Sequence, residues 1–257
     1  MILLYDIGNT HTHLGLADAT RIRRQLDIPT KGWFDNSAGQ QVMQWLGSAS
    51  ITGTALCSVV PRATAFVSSF SQNTWGLLPL ELTPTTLRGV GIDYPKPATI
   101  GPDRLANAVA AHHRFGAPVV VVDFGTAVTF DVVDRSGNYV GGVIAPGLAA
   151  MTEYLHEKTA LLPRISIREV TRSIGKSTRE AMLIGAVHGY RGLVRELIME
   201  LKKDLHCPRL KVAATGGYAK LISARLPEIT HVDPLLTLEG LRLVWQAHQP
   251  PSPILNL

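Results

Sequence analysis

Ile2-Leu3-Leu4-Tyr5-Asp6-Ile7-Gly8-Asn9-Thr10 and Val119-Val120-Val121-Val122-Asp123-Phe124-Gly125-Thr126 carry one local design in each half of this chain. In both, an apolar run of strand character ends in a carboxylate, followed by a glycine turn that carries a hydroxyl. Glycine lets the backbone turn sharply and approach a ligand, so its N–H groups can point at phosphate oxygens. The carboxylate can hold a cation that offsets phosphate charge, and the threonine adds a neutral donor. One such turn is ordinary loop chemistry. A pair in equivalent settings predicts two lobes closing on one nucleotide.

The surroundings of the two turns also match. After the first come the alternating His11-Thr12-His13-Leu14-Gly15-Leu16 and a third extended stretch at about 21–28. After the second come strand 127–133, a hairpin turn at Arg135-Ser136-Gly137-Asn138 and a return strand from Tyr139 to Ile144. Each half therefore opens with a three-strand meander and then alternates helix and strand. In the first half, 37–46 reads as helix, 54–60 as buried strand, Pro61 as the first residue of a helix, and 80–83 as a short strand. In the second half, 175–203 has helical periodicity, with Tyr190, Val194, Leu197 and Leu201 in one stripe. Leu210 to Ala214 is a strand, another helix follows Thr215-Gly216-Gly217, and a last helix covers 236–248. The tail Pro250-Pro251-Ser252-Pro253 cannot continue it. The expected fold class is α/β, with two ribonuclease-H-like (actin-like) lobes, mixed sheets and a cleft between them. The boundary is expected near Gly116-Ala117-Pro118, giving lobes at 1–117 and 118–257.

Composition narrows the partners. With 46% apolar and 18% charged residues the chain can bury a sizeable core, and no run of about 18 apolar residues predicts a membrane span. The N-terminus lacks the basic start and small-residue cleavage site of a secretory signal. Cys57 and Cys207 have no partner at metal-ligand spacing, which suits a reduced, cytoplasmic protein. The net charge of +5 suits an anionic small molecule as well as nucleic acid. No basic stripe interleaved with aromatics is present, so neither nucleic acid nor membrane is an expected partner.

Gly101-Pro102-Asp103-Arg104 is the next candidate, with proline at a helix start and Asp103 in the first turn. Phosphoryl transfer to an alcohol needs a carboxylate to orient the hydroxyl and accept its proton, with a cation beside it for an anionic substrate. The plain alternative is a simple helix-start residue. Gly185, Gly189 and Gly192 share a helix face that would let another helix approach closely, either internally or across a dimer. His11 and His13 resemble a metal pair but lack a third ligand, so exposed strand histidines are the preferred reading. Asp131 and Asp134 could join a cation site, yet a hairpin explains both.

Together these elements resemble the type III pantothenate kinases of the acetate and sugar kinase/Hsp70/actin superfamily. The resemblance rests on Asp6-Ile-Gly-Asn-Thr10, Cys57-Ser-Val-Val-Pro61, Gly101-Pro-Asp-Arg104, Asp123-Phe-Gly-Thr-Ala127 and Gly141-Gly-Val-Ile-Ala-Pro-Gly147. Gly175-Lys-Ser-Thr178, Thr215-Gly-Gly217 and Leu236-Thr-Leu-Glu-Gly-Leu241 extend it. It implies ATP-dependent phosphorylation of pantothenate to 4′-phosphopantothenate, the first step of coenzyme A biosynthesis. Asp6, Ile7, Gly8, Asn9, Thr10, His11, Thr12 and His13 would form the first phosphate turn, and Thr126 would contact ATP phosphate. Asp103 would be the catalytic proton acceptor. Tyr94, Gly101, Pro102, Asp103, Arg104 and Thr178 would bind pantothenate, Thr178 from across a homodimer with a shared substrate site. Asp123 would hold a monovalent cation, K+ or NH4+, and Mg2+ would accompany ATP. Two competing expectations are a nucleotide-binding transcriptional accessory protein and a kinase of another small alcohol.

Overall fold

The computed structural model describes residues 1–250; the proline tail beyond Pro250 lies outside them. The chain divides into two compact units, one formed by Met1–Arg114 together with Leu235 onward, the other by Phe115–Pro234.

In the first unit, β1 (Ile2–Ile7), β2 (His11–Ala17) and β3 (Ile22–Pro29) form the expected meander, followed by α1 (Ser37–Leu46), β4 (Gly53–Ser58), α2 (Pro61–Trp75) and β5 (Leu80–Glu81). The sheet order is β3-β2-β1-β4-β5, antiparallel across the meander and parallel from β1 to β5. A two-residue strand β6 (Gly91–Ile92) precedes α3 (Pro102–Phe115). Leu3, Tyr5 and Ile7 point alternately to one face and pack with Leu14, Leu16, Leu56, Trp33, Val42 and Val67. The buried Tyr5 hydroxyl meets Ser71 Oγ at 3.1 Å, and burial pushes that phenol up.

The second unit repeats the plan. Its strands β7 (Val119–Phe124), β8 (Ala127–Val133), β9 (Asn138–Pro146), β10 (Lys211–Thr215) and β11 (His231–Val232) run in the order β11-β10-β7-β8-β9. Strand for strand this equals the first unit, with β7 in the place of β1 and β10 in the place of β4. Both β1 and β7 have four buried residues, a half-exposed aspartate and a buried residue at the end. Four-residue apolar runs are buried on both faces because helices cover both sides of a mixed sheet. The duplication predicted from the two turns is thus present in the strand order.

Two expectations are corrected. A single cut near residue 117 does not describe the first unit, because its last helix, α8 (Leu236–Ala247), returns to it. The apolar stripe Leu238, Leu241 and Val244 is buried, and α8 packs on β1, β2 and β4. Arg242, only 4% exposed, pairs with Glu239 and donates to Ala19 O at 2.7 Å, while Thr237 Oγ1 donates to Asn107 Oδ1 at 2.7 Å. No sequence-local signal tells a C-terminal amphipathic helix which sheet will cover its stripe.

The helix expected over 175–203 is the second correction. It is α5 (Thr178–Ile184), a π turn over Gly185–Gly189, and α6 (Tyr190–Asp204). A π turn takes in one extra residue, which re-phases the stripe so that Val187, Tyr190, Val194 and Ile198 all reach the core. Ser177 caps the start, its hydroxyl accepting from Glu180 N at 3.2 Å. The helices α4 (Leu148–Lys158) and α7 (Ala219–Ser223) complete the unit. No helix of the described residues is long and apolar enough to cross a membrane.

Candidate active site

In the first unit the end of β1 is flanked by β2 and β4. Asp6 is level with Cys57 on β4 and with His13 on β2. Cys57 Sγ donates to Asp6 Oδ1 at 3.4 Å. Burial pushes the Cys57 thiol well up, and the negative charges of Asp6 and Asp103 push it further. Both carboxylates therefore bear electrostatically on one buried thiol.

Asp103 folds back on the start of its helix. Its Oδ1 accepts from Arg104 N at 2.9 Å. A Cβ built on Gly101 would lie 2.5 Å from the same oxygen, so glycine is what lets the carboxylate occupy that place. Burial raises the Asp103 pKa above the ordinary carboxylate value, against the lowering effect of the Arg104 N–H and guanidinium. A carboxylate held by desolvation closer to neutral pH is a better proton acceptor than an exposed one. Tyr94 lies on the same unit and is 37% exposed.

The Gly8-Asn9-Thr10 turn joins β1 to β2, with Asn9, Thr10 and His11 exposed. Gly8 N donates to His11 O at 3.0 Å. The side chains of Ile7 and Thr12 are wholly buried, so of the eight residues expected at ATP these two can offer only main chain. Strand alternation sends them inward. His13 Nδ1 meets Asp27 Oδ1 at 2.7 Å, and the His11 and His13 rings stand 6.3 Å apart. Thr30, which no sequence motif marks, holds this turn: its hydroxyl donates to Gly8 O at 2.6 Å and its N–H to Thr10 O at 3.0 Å. The available signal was Pro29, which marks the end of the third strand.

In the second unit Asp123 stands level with Thr215 on β10. Gly216 has φ +89, and a Cβ there would lie 2.6 Å from Asp123 Oδ1 and 2.7 Å from the Phe124 backbone. Thr126 O accepts from Gly147 N at 3.1 Å. Asp134 is explained by its hairpin, accepting from Ser136 N and Asn138 N, both at 2.9 Å. Thr178 opens α5. Among the described residues no group of three His, Cys, Asp or Glu is placed to hold a metal ion. What Asp123 offers is one carboxylate beside the Phe124 backbone, a hard-oxygen setting without thiolate or imidazole.

A family model described as type III pantothenate kinase matches residues 2–200. The chain belongs to the type III pantothenate kinase family. The type III pantothenate kinase of Akkermansia muciniphila is 47% identical over 243 residues, covering 94% of this chain and 96% of its own. That of Methylacidiphilum infernorum is 43% identical over 246 residues, covering 95% and 88%. Among solved structures, a conserved putative Baf family transcriptional activator from Campylobacter jejuni has a TM-score of 0.58 at 20% identity, covering 95% of this chain and 98% of its own. A putative 2-dehydro-3-deoxygalactonokinase from Sinorhizobium meliloti has 0.58 at 11%, covering 97% and 100%. At these identities the likeness is one of fold, and it is the fold of actin-like kinases. The stretch that matches the type III pantothenate kinase model contains Asp6, Asp103, Asp123, Thr126 and Thr178 and ends before Gly216 and α8.

Proposed function

We propose that this chain transfers the γ-phosphoryl group of ATP to the primary hydroxyl of pantothenate, giving 4′-phosphopantothenate and ADP in the first step of coenzyme A biosynthesis. The observation that carries the reading is the buried Asp103 carboxylate at the start of α3, held by Arg104 N in the space that Gly101 leaves open, in a chain of this kinase family. The hydroxyl oxygen forms the new bond to phosphorus, the bond from the γ-phosphorus to the bridging oxygen breaks, and the hydroxyl proton passes to Asp103. The main chain of Asp6 to His13 and the hydroxyl of Thr126 stabilise charge spread over the phosphoryl oxygens. Pantothenate is anionic, so Arg104 and the Tyr94 hydroxyl are its natural partners. Magnesium arrives with ATP. A potassium or ammonium ion beside Asp123 would supply positive charge near the phosphates.

The same reading includes a homodimer in which Thr178 reaches the partner's pantothenate. In support, a Cβ on Gly185, Gly189 or Gly192 would meet nothing within 4 Å, so this stripe is not covered by the other described residues. A cytoplasmic setting fits the two free cysteines.

The test is direct. The purified protein is incubated with pantothenate, ATP, magnesium and either potassium or sodium, and phosphopantothenate is sought by mass. Potassium-dependent product that disappears in Asp103→Asn supports the reaction and both carboxylate roles. ATP binding without product under any cation refutes the pantothenate assignment.

A further inference from the structure

The residue that follows the third strand performs the same task in both units. In the first, Pro29 is level with His11, the first residue of β2, and the next residue, Thr30, donates its N–H to Thr10 O at 3.0 Å. In the second, Pro146 is level with Ala127, the first residue of β8, and Gly147 donates its N–H to Thr126 O at 3.1 Å. Each glycine turn is thus pinned from behind at its last carbonyl by the residue after a proline.

Beyond that shared bond the two pins differ. A Cβ on Gly147 would lie 2.2 Å from Thr126 O and 2.6 Å from Gly125 O, so the second turn itself fills the space of a side chain. The first turn leaves room, and Thr30 fills it with a hydroxyl that reaches Gly8 O at 2.6 Å.

The direction of the protons behind that hydroxyl is determined. The Trp33 indole N–H can only donate, and it points to Thr12 Oγ1 at 3.1 Å. Gly8 O can only accept, so the single Thr30 proton goes to it. The 3.1 Å contact between Thr12 Oγ1 and Thr30 Oγ1 must then be donated by Thr12. The chain runs Trp33 to Thr12 to Thr30 to the Gly8 carbonyl, and all three side chains are buried. Aligned hydrogen bonds of this kind polarise one another.

We infer that Thr30 is a positioning residue for ATP: by holding the Gly8 carbonyl inward it turns the Asn9 N–H toward the phosphates. The link is the planar trans peptide, in which the carbonyl of residue 8 and the N–H of residue 9 point in opposite directions. The inference rests on the reading of Asp6 to His13 as an ATP turn.

The experiment compares wild type, Thr30→Val and Thr30→Ser in steady-state kinetics, with ATP binding measured separately by calorimetry in the absence of pantothenate. Thr30→Val keeps the shape and the backbone N–H but removes the hydroxyl; its ATP KM and Kd should rise about tenfold. The pantothenate KM should stay within about twofold, and Thr30→Ser should restore ATP affinity to within about twofold of wild type. A folded Thr30→Val with wild-type ATP affinity, or one whose two KM values rise together, overturns the inference. If Thr30→Val does not fold, Trp33→Phe interrupts the chain at its far end. A rise of about threefold in ATP Kd then supports the inference and an unchanged Kd overturns it. Wild type that binds ATP but leaves pantothenate unphosphorylated refutes the substrate and leaves this test standing. Wild type that binds no ATP refutes both.

Discussion

Gly101→Ala separates the position of the Asp103 carboxylate from its presence. A Cβ at residue 101 would stand 2.5 Å from Asp103 Oδ1, whereas ordinary contact begins at 3.4 Å, so the oxygen must move by about 0.9 Å. Gly101 is not among the glycines with positive φ, and alanine meets no backbone strain there. The atom displaced is the end of a side chain, so rotation about its own χ angles relieves the clash at a cost below about 1 kcal/mol. Misplacement of a catalytic group by about 1 Å costs roughly 10²-fold in rate. The variant should therefore fold like wild type, bind ATP normally and lose about 10²-fold in kcat. Steady-state phosphorylation with coupled ADP detection, beside a thermal melt, reads both quantities. Because the loss acts through Asp103, adding Gly101→Ala to Asp103→Asn should cost nothing more. A kcat within about threefold of wild type, or full additivity in the double variant, would falsify the assignment of Asp103 as the group Gly101 makes room for.

The raised Asp103 pKa has a stability consequence of definite sign. The folded state holds the proton more tightly than the unfolded, so stability falls as pH rises from the ordinary aspartate range through the raised value, then levels. Asp103→Asn should melt higher than wild type at pH 7 although it is inactive, and the gain should shrink toward pH 4; a lower melting temperature at pH 7 contradicts the burial argument. In wild type the acidic limb of kcat/KM should lie above the range of an exposed aspartate, as read from a pH–rate profile. Cys57 is buried with its pKa well up, so iodoacetamide should leave it unmodified in the native protein and reach it only after unfolding, as peptide mass mapping would show. A Cβ on Gly240 would lie 2.0 Å from Ala106 O, and Gly240→Ala should destabilise by about 1–3 kcal/mol and disturb the helix that carries Asp103. An unchanged denaturant midpoint would show that α8 is not held so closely. Asp123→Ala should weaken activation by potassium or ammonium; an unaltered cation titration removes Asp123 from that role.

Much of the fold was legible because its signals are local. Four-residue apolar runs buried on both faces, a glycine turn after each, and a hairpin turn at Ser136-Gly137 define two meanders without any knowledge of distant residues. Pro61 at a helix start and the periodic stripe from Tyr190 are equally local, and both elements are present. The π turn was not legible, since Gly185 to Gly189 reads as ordinary helix until packing demands an extra residue in the turn.

The sequence by itself determined which residue types stand at the strand ends: Asp6 and Asp123, their glycine turns, and the Gly101-Pro102-Asp103-Arg104 start of α3. Backbone propensity and alternation act over a few residues, and the chemistry of a motif travels with them. Only the tertiary structure decided what those residues do to one another. It brought Cys57 to Asp6, set Gly101 where a methyl group would displace Asp103, and sent α8 back to the first sheet. It also placed Thr30, an unremarkable threonine in the sequence, behind the first turn. Each of these depends on contacts between residues far apart in the chain or on Å-scale clearances, and neither is written in local pattern.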